Sequence, residues 1–164
     1  MDTMRRAARR ALSAVLPAAL LLLAACAEPK VDRWRRDLAA AESLWRSTGV
    51  TDYEMDVVMT CYCLAAQTHP VTSTVRGGAL VSLVYTDSGG TRADTVLFRK
   101  FMTMERIFTA MHDVVDAEPS DLYAEYNPAY GFPTLWRVDP ERMTVDDEFT
   151  FQVTGFRRLT VAAR

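Results

Sequence analysis

The chain has 164 residues, with 19 Lys and Arg against 21 Asp and Glu, a net charge of −2 at neutral pH. Arg5, Arg6, Arg9, Arg10 and Asp2 all fall in the first 25 residues, so the 139 that follow keep 15 basic and 20 acidic side chains, net −5. That balance argues against nucleic-acid binding, which needs a basic face, and against docking to anionic lipid by charge alone; 139 residues suffice for one domain that folds without metals or many disulfides.

The arginines at the N-terminus precede an apolar run, Ala11 to Ala25, that ends in Leu23-Ala24-Ala25-Cys26. A charged start, a short apolar stretch and small residues at its end are the layout of a secretory signal. The run has 15 residues and includes Ser13 and Pro17, short of the ~20 that a membrane-spanning helix needs. Leu-Ala-Ala-Cys resembles the bacterial lipobox. The resemblance implies that residues 1–25 are a signal peptide and that Cys26 is acylated, becoming the first residue of a short lipidated tether, 26–31. Two or three acyl chains, at about 0.8 kcal/mol per buried methylene, suffice to hold a protein on a membrane. Ala27 follows Cys26 where no acidic residue stands; in the diderm lipoproteins it resembles, this implies sorting to the outer membrane. The expected location is the bacterial cell envelope.

The remaining residues, 32–164, read as a single α+β domain. Asp32 is expected to cap a helix running to about Ser47, whose Trp34, Leu38, Ala41 and Trp45 share one face and which Gly49 stops. From Tyr53 the period changes to two. Tyr53, Met55, Val57, Met59, Cys61 and Cys63 alternate with Glu54, Asp56, Val58, Thr60 and Tyr62, a strand with one face for the core. A second strand carries Val71, Ser73 and Val75, and Gly77-Gly78 signals a hairpin. The third carries Ala79, Val81, Leu83 and Tyr85. Residues 91–102 fit an extended loop, a further strand or an early helix start. Thr103 opens a second helix, with Glu105 in its first turn and an apolar stripe of Met104, Ile107, Phe108, Met111, Val114 and Val115. Three more strands follow, holding Leu122 to Tyr126, Thr134 to Asp139, and Glu148 to Phe156. The expected fold is an antiparallel sheet of about six strands with two helices on one face, and the order helix, three strands, helix, three strands suggests a duplication.

With Cys26 assigned to lipid, Cys61 and Cys63 are the two cysteines left. At i and i+2 of a strand they point to the same side. Fully extended, their Cα atoms would stand roughly 6.5–7 Å apart, at the edge of what a disulfide tolerates, and a bend at the strand end would bring them into range. In an oxidising compartment a disulfide is the first reading. Two reduced, half-buried thiols are the second, and a metal or redox-exchange site the third, with His69 and His112 as the histidines available to complete a metal set. Each histidine alone reads as a solvated or capping residue. Asp146-Asp147-Glu148, near Asp139 and Glu141, reads as a solvated charge run or a weak calcium site without EF-hand spacing.

Tyr126-Asn127-Pro128-Ala129-Tyr130-Gly131-Phe132-Pro133 sets three aromatics around one tight connection. Either the rings cap the sheet edge of a rigid hairpin, or Tyr126, Tyr130 and Phe132 are presented to a partner. No Gly-x-Ser-x-Gly elbow, His-Glu-x-x-His pair or phosphate-binding glycine loop occurs, so no catalytic residue, cofactor or resident metal is expected.

These segments resemble a family of small bacterial lipoproteins of unknown function. Its members share a Tyr-rich first strand ending in Cys-x-Cys, a Thr-x-Glu-x-Ile/Leu-Phe helix start, a Tyr-Asp/Asn-Pro-x-Tyr-Gly-Tyr/Phe-Pro turn and a final Asp-Glu-x-x-Phe/Tyr strand. Here those are Tyr53 to Cys63, Thr103 to Phe108, Tyr126 to Pro133 and Asp147 to Phe156, with Asn127 where aspartate is commoner. The resemblance implies fold and location, not activity. The functional expectation is a membrane-anchored, non-catalytic module that binds an envelope protein or peptide through one sheet face and the aromatic turn. A thiol–disulfide or metal-responsive protein centred on Cys61 and Cys63 is the alternative, and a surface lipoprotein without a specific ligand the third.

Overall fold

The computed structural model describes residues 28–160. The segment 1–25 expected to be a signal peptide, the expected acylation site Cys26, Ala27 and the last four residues lie outside the described residues.

Helix α1, Lys30–Ser47, buries Trp34, Leu38, Ala41 and Trp45, the stripe that 3.6-residue spacing predicts. Its start differs from expectation. The N-cap is Pro29, without a side-chain capping bond, and Asp32 sits inside the first turn, paired with Arg35 at 3.5 Å. Proline's restricted φ, here −52°, suits a helix entrance, and an acidic group one turn in is favoured by the helix dipole. Gly49 ends the helix region with φ +63°, which glycine adopts without a Cβ clash.

Strand β1, Tyr53–Cys61, buries Tyr53, Met55, Val57 and Met59. It stops two residues short of Cys63, because the chain bends there and enters a single helical turn, α2, Ala65–Thr68. Strands β2, Val71–Arg76, and β3, Ala79–Tyr85, form the expected hairpin through Gly77-Gly78, both with positive φ. The register shifts between Thr74 and Val75, so that Val75 pairs with Leu80 and Val81 is the extra residue of a bulge. Leu80 therefore packs on the core, while Val81 is turned outward and exposed. Residues 91–102 form a loop with one isolated bridge, Arg92 to Val84, pinned by the buried side chains of Ala93, Phe98 and Met102.

Helix α3, Met104–Asp116, is capped by Thr103, whose Oγ1 accepts from the Arg106 N–H at 3.4 Å. Its buried stripe is Met104, Ile107, Phe108, Ala110, Met111 and Val115. Strands β4, Asp121–Tyr126, β5, Pro133–Asp139, and β6, Phe149–Arg158, complete one antiparallel sheet of order β3-β2-β1-β6-β5-β4. The fold is α+β, with α1 and α3 packed on one face over one apolar core. The opposite face carries Glu54, Asp56, Thr72, Thr74, Arg137 and Gln152, none of them buried.

The order helix then three strands does occur twice. Within the sheet each half keeps the same strand order, but strand direction is reversed between them. A rotation that reversed the strands and kept their order would place the helices on opposite faces. The repetition is one of connectivity, not of a superposable unit.

Candidate functional site

Cys61 and Cys63 meet where β1 leaves the sheet. Their Cα atoms are 5.3 Å apart, closer than an extended strand allows, and their sulfurs lie at bonding distance. The bend supplies the approach that an extended strand lacks. Tyr62 between them points to solvent, Cys63 is exposed and Cys61 is half-buried.

Pairing of β1 with β6 sets Cys61 opposite Phe149 and Met59 opposite Phe151; pairing of β5 with β6 sets Trp136 opposite Phe151. Met59, Cys61, Phe149 and Trp136 thus share the helix-covered face at one end of the sheet. No residue of α1 lines this part of the face, and the cover is Leu97 and Phe101 from the 91–102 loop with Ala110 and Val114 from α3. Between floor and cover lies a groove of about 540 Å³, open to solvent, within the usual range for ligand pockets. Arg99, Lys100, Asp146, Asp147 and Glu148 all line it, and so do Cys61, Tyr62 and Cys63. Trp136 meets Phe149 edge-on at 5.3 Å, and Phe101 stacks on Phe151 at 5.0 Å. Two lining residues keep a buried polar atom without a hydrogen-bond partner among the described residues, Trp136 Nε1 and Asp147 Oδ1. Such orphans are few in folded proteins.

The aromatic turn lies at the other end of the sheet and faces inward. The Asn127 side-chain oxygen accepts from the Ala129 and Tyr130 N–H groups at 3.0 Å, and Gly131 N–H donates to the Asn127 carbonyl at 2.7 Å. Phe132 is buried, 4.5 Å from the Phe156 ring and 6.4 Å from Trp45. It is therefore not presented to a partner: α1 lies over the turn and takes its ring into the core. Tyr126 and Tyr130 are half-buried and pack against the same cluster. Burial, reinforced by the nearby Asp37 carboxylate, pushes the Tyr126 hydroxyl pKa upward.

The histidines are far from the cysteines in role. His112 Nε2 meets Glu42 at 2.8 Å, joining α3 to α1. His69 Nδ1 meets Asp87 at 2.9 Å beside Tyr85. Asp147 is engaged by the Glu141 N–H at 3.2 Å. Among the described residues no three His, Cys, Asp or Glu side chains are grouped to hold a metal ion. Burial alone would raise the Glu42 carboxyl pKa, yet the bonded His112 ring and Arg46 guanidinium hold it below its ordinary range.

Sequence reasoning found the cysteine pair and missed the groove around it. Its lining comes from β1, the 91–102 loop, α3, β5 and the loop before β6, and only strand pairing brings these together. The charge run 146–148 was the one visible trace.

Residues 37–158 match the family of unknown function DUF6174, and the chain belongs to that family. No curated protein and no solved structure matches it.

Proposed function

We propose that this protein is a bacterial envelope lipoprotein, acylated at Cys26, whose domain is a non-catalytic module that holds a segment of a protein or peptide partner in the groove beside Cys61 and Cys63. The observation that carries this reading is the groove's make-up: an aromatic and aliphatic lining that also carries Arg99, Lys100 and the Asp146-Asp147-Glu148 run. Apolar floors supply affinity, and fixed charges of both signs orient a chain that carries both. The net charge of −5 after residue 25 is against a nucleic-acid partner.

Two measurements test it. Palmitate labelling of the wild type and not of Cys26→Ser is the expected result for the anchor. For the groove, a photo-crosslinking amino acid in place of Gln67 is expected to give one discrete protein adduct in cell membranes. That adduct should vanish when Arg99→Glu and Lys100→Glu are added, with the melting temperature unchanged. No adduct, or one indifferent to the charge reversal, defeats the groove reading.

A second reading, thiol–disulfide exchange at Cys61 and Cys63, is favoured by the exposure of Cys63 at the groove mouth. A measured reduction potential below about −300 mV would mark an inert bridge and sink it. The metal-responsive form of this reading has no ligand set among the described residues to support it.

A further inference from the structure

Five large apolar side chains stand well clear of the protein surface: Tyr62, Leu64, Val96, Met143 and Val145, between 63% and 91% exposed. They are the five most exposed of their kind among the described residues, and all five belong to loops at one end of the sheet. Tyr62 and Val96 line the groove mouth together with Asp146; Leu64 follows Cys63, and Met143 and Val145 precede Asp146. Scattered single exposures are ordinary, but a set confined to one end is not.

The same end receives the start of α1. Lys30 Nζ donates to the Ser120 carbonyl at 2.6 Å. Ser120 in turn holds the base of the β5–β6 loop: its N–H donates to the Pro140 carbonyl at 3.0 Å, and its Oγ accepts from the Arg142 N–H at 2.7 Å. Cys26 is four residues before Lys30, so a fully extended chain reaches at most ~14 Å from that point. An acylated Cys26 therefore holds the bilayer against this end of the domain and not against the Gly77-Gly78 and Asn127–Phe132 turns at the other.

We propose that the domain docks on the bilayer carrying its lipid, seating these loop tips at the boundary between headgroups and acyl chains. The inference rests on the acylation of Cys26 proposed above. Only side-chain tips can enter, because loop backbone has N–H and C=O groups that rely on water for hydrogen bonds and cannot lie in hydrocarbon. Tyrosine suits that depth, with its ring in the apolar layer and its hydroxyl in the wet one. A short tether keeps the tips at high effective concentration near the surface, so weak insertion is populated. Attraction to anionic lipid is not the drive, since Arg99, Lys100 and Arg142 in these loops are outnumbered there by Glu141, Asp146, Asp147 and Glu148. A bilayer also tolerates tips on three separate loops, which a protein surface would have to match one by one. In this orientation the groove opens at the membrane surface, so the segment it collects belongs to a membrane-adjacent partner.

The test uses the acylated chain in vesicles of phosphatidylcholine with brominated acyl chains, comparing Val145→Trp and Met143→Trp with Val81→Trp on the far part of β3. The native Trp34, Trp45 and Trp136 are buried and give a common background. The expected result is a blue shift and loss of the new emission in Val145→Trp and Met143→Trp, unaffected by high salt, and neither change in Val81→Trp. Vesicle-bound protein with all three unquenched, or all three quenched alike, overturns the docking while leaving the anchor intact. Quenching that is lost in high salt overturns the apolar mode. Protein that fails to float with the vesicles removes the anchor and overturns both readings.

Discussion

Gly131 lies so close to helix α1 that a Cβ on it would stand 2.2 Å from the Ala41 carbonyl oxygen and 2.9 Å from the Trp45 nitrogen. Its φ is +80°, a region that side chains other than glycine enter at a cost. The aromatic turn is thereby locked under the helix, with Phe132 in the core. Gly131→Ala combines backbone strain with overpacking against immobile backbone, and is expected to destabilise by about 2–5 kcal/mol. Urea unfolding measures this. A loss below ~0.5 kcal/mol would mean that α1 shifts freely away from the turn.

The Cys61–Cys63 bridge closes a loop with a sequence separation of two. Loop-closure entropy grows with loop length, so a bridge this short contributes about 1–2 kcal/mol. Cys61→Ser with Cys63→Ser is expected to lower stability by that amount while circular dichroism retains the native sheet signal, because β1 is paired with β2 from Tyr53 to Val57 and with β6 from Tyr53 to Cys61. Global unfolding of the double variant would show that the bridge holds more than its own bend.

Two hydroxyls on the sheet fasten the entrance of α3. The Tyr53 hydroxyl accepts from the Met104 N–H at 2.7 Å, and the Ser73 hydroxyl donates to the Met102 carbonyl; both side chains are fully buried. Burial raises the Tyr53 pKa above its ordinary value, the Met104 N–H opposes the shift and Glu105 adds to it, so the ring stays neutral at all working pH. Tyr53→Phe keeps the packing and leaves the Met104 N–H without its acceptor, which costs about 1–3 kcal/mol. Differential scanning calorimetry on this variant is the check. An unchanged melting temperature would show that the helix entrance does not depend on this bond.

Elements with a strong period were legible from the sequence. The Trp34-Leu38-Ala41-Trp45 stripe and the Tyr53 to Met59 alternation are both buried as read, since each pattern has one geometric solution. The alternation misplaces Val81 because a bulge inserts one residue, so that Leu80 and not Val81 shares the core side with Leu83 and Tyr85, and nothing near Thr74 or Val75 announces it. Phe132 reads from the sequence either as a ring that caps the sheet edge or as one presented to a partner; the trace of its burial is Gly131, a residue without a side chain where a helix passes overhead. The groove was illegible for a different reason. Met59, Leu97, Val114, Trp136 and Phe149 are up to ninety residues apart in the chain, and only the pairing of Cys61 with Phe149 across β1 and β6 joins them.

Glu42 supplies the pH dependence. The Glu42 carboxylate takes the His112 ring at 2.8 Å and Arg46 at 2.6 Å, tying α1 to α3. Burial penalises the charge, but the two partners outweigh it and the folded pKa falls below the ordinary carboxylate value. A group depressed on folding contributes stability that is complete above its unfolded pKa, about 4.3, and is lost as pH falls through the folded value. The wild type should therefore exceed Glu42→Gln in melting temperature at neutral pH, and the gap should close as pH is taken below about 4. A gap that persists unchanged into strong acid would place the advantage in packing and not in the ionised pair.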